Sequence, residues 1–269
     1  MTVLRGRIGI VVGASSGIGR ATALRLAAEG AELHLVGRAQ DRLEEACQAV
    51  RSTGGTAHCA PLDVTDDDAL RDLVARVASR HGALHMMVNG AGVEHIGTVA
   101  DGDPVLWREM LEVNVMSLLV GSQAAIRAMR ATGSSGHIVH FGSIAARTDN
   151  TGVYGATKAA VHALTSTLRK ELETDPIRIV NIIPGAVLTN FVRHFPEELM
   201  NGFLTSHGFD GDFRRGEVYT EDRIAQIQRR ARDIVCSADD VARAVLFAVT
   251  QPPEVNIYEL FVRPARNFS

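Results

Sequence analysis

Ile8-Gly9-Ile10-Val11-Val12-Gly13-Ala14-Ser15-Ser16-Gly17-Ile18-Gly19 is the stretch from which the fold of this chain is read. A short run dominated by β-branched residues reads as a buried strand, and three glycines follow it directly. An amphipathic stretch of helical length begins at Gly17. A strand that passes through a glycine turn into a helix lets the backbone approach a ligand closely and aims the first helical N–H groups at it. Residues 13–19 are therefore a candidate pyrophosphate-binding turn, with a plain tight turn as the alternative.

The same alternation continues to the end of the chain. Apolar runs at 32–36, 56–62, 84–88, 137–141, 178–183 and 257–262 read as strands. Between them, 41–52, 66–80, 104–131, 153–173 and 238–249 carry apolar residues three and four apart, the helical period. Strands alternating with helices imply an α/β fold, a parallel sheet with helices on both faces. Asp66-Asp67-Asp68 suits a helix start, and Gly30 and Gly54-Gly55 suit helix ends. Residues 190–232 break the rhythm with aromatics, glycines and charges but no strand pattern, so they are expected to form a lid or binding loop.

At 269 residues, the length suits one domain spanning 1–269, with 190–232 as its substrate-binding insertion. A net charge of −3 with scattered Lys and Arg gives no footprint for nucleic acid, so a small molecule is the expected partner. No stretch has a signal peptide's apolar core or the length of a membrane span, and the expected location is the cytoplasm. Cys47, Cys59 and Cys236 are widely spaced without a C-x-x-C pair, and are expected to be reduced. His81 and His85 flank Gly82 and do not share a helix face, so no metal is expected.

Tyr154 and Lys158 stand four apart in a helical stretch, with Ser143 eleven residues upstream. On one helix face, a phenol beside an ammonium has its pKa drawn down toward working pH and becomes a usable acid or base. The same spacing also arises by chance in helices.

Taken in order, Gly13-Ala14-Ser15-Ser16-Gly17-Ile18-Gly19, Asn89-Gly90-Ala91-Gly92, Asn114, Ser143, Tyr154-x-x-x-Lys158 and Pro184-Gly185 resemble the short-chain dehydrogenases/reductases, over roughly residues 7–190. The G-x-x-x-G-x-G spacing differs from the G-x-G-x-x-G of two-domain dehydrogenases. The resemblance implies a Rossmann-type doubly wound sheet of about seven strands, in the order 3-2-1-4-5-6-7, with an irregular or helical lid. It implies an oxidoreductase interconverting a carbonyl and an alcohol on a small to medium organic substrate. Tyr154 would be the general acid/base, with Lys158 tuning it and holding the nicotinamide ribose. Ser143 would bind the substrate oxygen, and Asn114 would hold a water leading to Lys158. Cofactor contacts would come from Gly13, Ser15, Ser16, Gly17, Ile18 and Gly19, from Asp63 and Val64 beside the adenine, and from Asn89, Ala91 and Gly92. Pro184, Gly185, Val187 and Thr189 would complete them. Gly37 stands where users of NAD carry Asp, and Arg38 can fork onto a 2′-phosphate, which favours NADP(H) over NAD(H). Homodimers or homotetramers are expected. Two other readings stay open, an epimerase or dehydratase using the same site and a non-catalytic NADP(H)-sensing module. The Ser143–Tyr154 interval is about two residues shorter than is usual in such proteins, so 144–153 should form a tight loop.

Overall fold

The computed structural model describes residues 2–252 and 254–266; the domain read from the sequence also took in residues 1, 253 and 267–269, which lie outside the described residues. The chain begins with β1 (Ile8–Val12), α1 (Gly17–Ala28), β2 (Glu32–Gly37), α2 (Gln40–Ser52), β3 (Thr56–Pro61), α3 (Asp67–His81) and β4 (Met86–Asn89). There follow α4 (Pro104–Leu111), a π-helical turn (Glu112–Met116), α5 (Ser117–Thr132), β5 (Gly136–Phe141), α6 (Gly152–Glu171) and β6 (Ile177–Pro184). The last elements are α7 (Glu197–Ser206), α8 (Glu221–Arg230), α9 (Ala238–Val249) and β7 (Glu259–Val262).

All seven strands are parallel, in the order β3-β2-β1-β4-β5-β6-β7. The order reverses between β1, whose partners are β2 and β4, and this is the place where open sheets of this kind bind ligands at their carboxyl ends. Alternating side chains divide between the faces, so Leu33 and Leu35 of β2 join the core under α1, α2 and α9, while Val36 joins the core under α3 and α5. Burying each such leucine contributes about 2 kcal/mol before entropy is charged against it. The acidic start expected at α3 is realised, since Asp66 Oδ1 accepts the N–H of Ala69 at 3.0 Å. At the other end of α3, Gly82 adopts φ 66°.

The structure corrects the sequence reading in two places. Cys47 and Cys59 are not reduced but joined in a disulfide, because α2 lies along β3 and brings their Cα atoms to 6.2 Å. The 104–131 stretch is not one regular helix, for the π turn widens it around Asn114. The insertion at 190–232 takes the helical one of its expected forms. α7 and α8 close over their own small core, in which Phe213, Leu204 and Ile227 are fully buried. Arg20 of α1 pairs with Glu221 at the start of α8, and Gln228 donates to the Leu188 carbonyl at 2.8 Å. No helix among the described residues is long and apolar enough to cross a membrane.

Candidate active site

At the carboxyl ends of the strands, the loops enclose a cavity of about 610 Å³. The glycine turn forms one wall. Gly13 adopts φ 75°, and a Cβ there would lie 2.5 Å from the Gly90 carbonyl oxygen, so a side chain would push away the loop after β4. A Cβ on Gly19 would in turn strike the Gly13 carbonyl. Ser16, the N-cap of α1, makes no side-chain capping bond, which leaves the first N–H groups of the helix uncapped where residues 16–19 line the cavity. Backbone that only glycine allows, together with uncapped donors at a helix start, fits a pyrophosphate.

Pro184 to Thr189, after β6, form the facing wall. Cys236 donates to the Ala186 carbonyl and accepts from the Leu188 N–H, so the N–H and C=O of Val187 are without backbone partners among the described residues. Arg38, Arg42 and Arg193 line the same cavity. Arg193 comes from the loop before α7, and burial, then the charges of Arg42 and Arg38, lower its pKa. Three guanidiniums from two segments, 38–42 and the turn holding Arg193, repel one another and suit an anion bound among them. Asp63 stands apart from this wall, which Leu62 and Val64 form. Its Oδ1 accepts from the Thr65 backbone and hydroxyl, and its Oδ2 lies 3.7 Å from Arg38. The Asp63 carboxylate is thus steadied by Thr65 and Arg38.

Tyr154 and Lys158 occupy one face of α6 and are almost wholly buried in the cavity wall. Lys158 Nζ donates to the Phe141 carbonyl at 2.9 Å and stands 5.7 Å from the centre of the Tyr154 ring. Ser143 follows β5, bonds the Tyr154 hydroxyl, and accepts the Ala145 N–H at 3.1 Å. The short link is absorbed without separating serine from tyrosine. A 3₁₀ turn covers Ile144–Arg147, the Thr151 hydroxyl donates to the Ala145 carbonyl, and Asn150 and Gly152 take φ of 62° and 55°. The electrostatics differ from expectation. Burial, then the Glu94 charge, push the Tyr154 pKa up, and the Ser143 bond only partly opposes them. Burial lowers Lys158 to about 8, with Glu94 pulling the other way. Burial thus penalises the charged forms of both side chains.

The sequence profile of the short chain dehydrogenase family matches residues 7–199. The chain belongs to the short-chain dehydrogenases. An uncharacterized oxidoreductase of Staphylococcus aureus (strain N315) is 32% identical over 266 residues, which is 98% of this chain and 100% of that protein. The crystal structure of a metagenomic short-chain oxidoreductase in complex with NADP superposes with a TM-score of 0.75 at 25% identity, covering 97% of this chain and 98% of that one. A dehydrogenase/reductase from Sinorhizobium meliloti 1021 gives 0.77 at 25% identity, with 97% and 95% covered. This short-chain dehydrogenase is therefore an oxidoreductase that uses a nicotinamide cofactor and acts on small molecules.

Two residues of the motif set face elsewhere. Asn89 turns toward α5, where its Nδ2 donates to Ser122 Oγ at 3.1 Å. That hydroxyl meets His140 Nε2 at 2.8 Å, and His140 Nδ1 meets Thr165 at 2.8 Å, so a buried polar chain ties β4, α5, β5 and α6 together. Asn89 is a structural member of this chain and does not line the cavity, whereas Gly90, Ala91 and Gly92 do. The alternation of β4, which puts Asn89 on the side of the core residue Met87, was the available signal. Asn114 is also behind the wall. Its Oδ1 accepts from the Val93 N–H at 2.8 Å, and its Nδ2 donates to the Val93 carbonyl at 2.9 Å and to Thr157 Oγ1 at 3.1 Å. Both its amine hydrogens are used within the protein, and the side chain clamps this wall. The sequence reading did not find Thr157 or the wall residue Phe191, whose ring lies 6.1 Å from that of Tyr154. His81 and His85 stay apart: His81 faces His34 at 3.1 Å, while His85 Nδ1 accepts the Ile8 N–H at 3.0 Å.

Proposed function

We infer that this short-chain dehydrogenase is an NADP(H)-dependent oxidoreductase that interconverts a carbonyl and an alcohol on a small to medium organic substrate. The observation that carries the reading is the meeting of Ser143, Tyr154 and Lys158 in the cavity that also holds the Gly13–Gly19 turn. Residues 13 and 15–19, the Val187 backbone and Thr189 would hold the cofactor, and Arg38, Arg42 and Arg193 would surround a 2′-phosphate. NADP in the metagenomic relative agrees with that preference. The bound nicotinamide supplies the hydride for reduction or accepts it in oxidation.

The chain's own groups move the proton. Ser143 donates a hydrogen bond to the substrate oxygen and fixes it beside Tyr154. The Tyr154 hydroxyl gives its proton to that oxygen during reduction and takes it back during oxidation. Lys158, when cationic, stabilises the phenolate left behind, and an anion bound in the cavity would favour that cationic form. Asn114 acts at one remove, by holding Val93 and with it the wall opposite Tyr154. Pairing of copies through α4, α5 and α6 is part of the same proposal, since Val105, Leu111 and Met116 leave apolar side chains exposed there.

NADPH absorbance followed against a panel of aldehydes and ketones tests the reading. The expected outcome is NADPH loss equal to alcohol formed. Tyr154→Phe should slow turnover by about 10²–10⁴-fold while NADPH still binds. A Tyr154→Phe rate near that of the unchanged protein would remove the mechanism. Isomerised or dehydrated product without net NADPH loss would favour the epimerase or dehydratase reading, and binding without turnover the sensing module.

A further inference from the structure

We propose that Glu94 forms a second polar subsite in the catalytic cavity, one that holds a hydroxyl group carried by the substrate close to its reacting carbon. The inference rests on the carbonyl–alcohol reading above and adds the class of substrate, a hydroxy-carbonyl compound or the corresponding diol. Glu94 lines the same cavity as Ser143, Tyr154 and Lys158, and its charge reaches both the phenol and the ammonium. Its carboxyl makes no hydrogen bond or ion pair among the described residues. It is also held in place from both sides. Val93 before it is clamped through both backbone groups by Asn114, and the His95 ring after it bonds Glu109 at 2.8 Å.

Much of the lining of this cavity is apolar, including Val93, Ile144, Phe191, Leu199, Met200 and Phe203. An acceptor without a partner in such a wall is unfavourable in the free protein, and a ligand donor relieves it. The charges around it select the kind of donor. Lys158 already faces Glu94, so a cationic group on the substrate would meet like charge. Burial raises the Glu94 pKa to about 7 against the pull of Lys158, so both carboxyl forms are present near neutral pH. A hydroxyl donates to the carboxylate and accepts from the acid, and thus serves both forms, whereas an ammonium serves only one.

The test uses the full-length protein, saturating NADPH and three matched substrates: an aliphatic ketone, its α-hydroxy derivative and its α-amino derivative, each at pH 6 and pH 8. The unchanged protein should favour the hydroxyketone in kcat/KM. In Glu94→Ala the hydroxyketone-to-ketone ratio of kcat/KM should fall about tenfold toward unity, chiefly through KM, the size expected when a built polar contact is lost. Glu94→Gln is nearly isosteric, keeps a carbonyl acceptor, and should retain part of the preference at both pH values; it also carries the test if the alanine variant does not fold. A ratio that neither variant moves overturns the subsite. So does an equal fall in kcat for all substrates, which would make Glu94 a proton carrier, and so does a preference for the aminoketone. Failure to reduce any carbonyl despite tight NADPH binding would instead bring down the underlying reading, which the Tyr154→Phe comparison reports separately.

Discussion

Tyr154 and Lys158 are each pushed toward neutrality by burial, and the charge of Glu94 acts on both of them. Their chemistry therefore depends on what the cavity binds, since an anion beside Lys158 restores its charge and a charged lysine eases ionisation of the phenol. The same logic applies at Arg38 and Arg42, which border the cavity with no carboxylate among the described residues closer than the 3.7 Å of Asp63 to Arg38. Arg38→Ala combined with Arg42→Ala should lower kcat/KM for NADPH by about 10²-fold, as charge-assisted bonds to a phosphate are lost, and change that for NADH much less. Steady-state rates with both cofactors check this, and an equal loss for the two would sink the 2′-phosphate assignment. At this scale the sequence was legible where function follows local spacing. Tyr154 and Lys158 need only a helix to share a face, and residues 13–19 need only a strand and helix on either side. The partners of Asn89, Asp63 and Asn114 were not legible, because an amide or carboxylate bonds whichever group packing brings near, here Ser122, Thr65 and Val93.

Among the elements, the π turn Glu112–Met116 has the greatest leverage on the site. It joins α4 to α5 and places Asn114, almost fully buried, against Val93 and Thr157. Asn114→Ala would leave the Val93 N–H and C=O without their partner in a dry wall. We expect a loss of about 2–3 kcal/mol, from the desolvation of two buried groups, together with a raised KM as residues 92–94 loosen. Denaturant midpoints and KM together check it. A midpoint change with KM unaltered would show that the clamp serves stability alone. The helical stretch was readable from its periodicity, but its π turn was not, since the extra residue per turn leaves no mark in apolar spacing. The insertion shows the reverse case. Thr220-Glu221-Asp222 ahead of Arg229-Arg230 carries the capping and charge order of a helix, realised when Thr220 accepts the Arg223 N–H at 3.2 Å. The packing of that helix on Phe213 and Leu204 depends on contacts between segments far apart in the chain, and only the folded structure supplies them.

For the molecule as a whole, buried histidines set the tolerance of acid. Burial lowers His34 and His137 to about 4 and His140 to about 3. His140 is held between Ser122 and Thr165, and a proton on its ring would leave one of the two hydroxyls needing to turn. Each of these groups has a folded pKa below its unfolded value near 6.5, so the unfolded chain binds more protons once pH falls under that value. Their contribution to stability is complete above about 6.5 and declines as pH drops toward 4. Glu94 has the opposite sign: with a folded pKa of about 7, its contribution is present below the unfolded carboxyl value and lost as pH rises through 7. Three histidines outweigh one glutamate between pH 6 and 5, and the net decline should be about 2–3 kcal/mol per pH unit, taking ~1.4 kcal/mol per proton. Denaturant unfolding at pH 7, 6 and 5 measures that slope, and His140→Gln should reduce it by about one proton's share. A stability flat across this range would show that these rings ionise in the folded protein, and that the buried chain from Asn89 to Thr165 opens to water without unfolding.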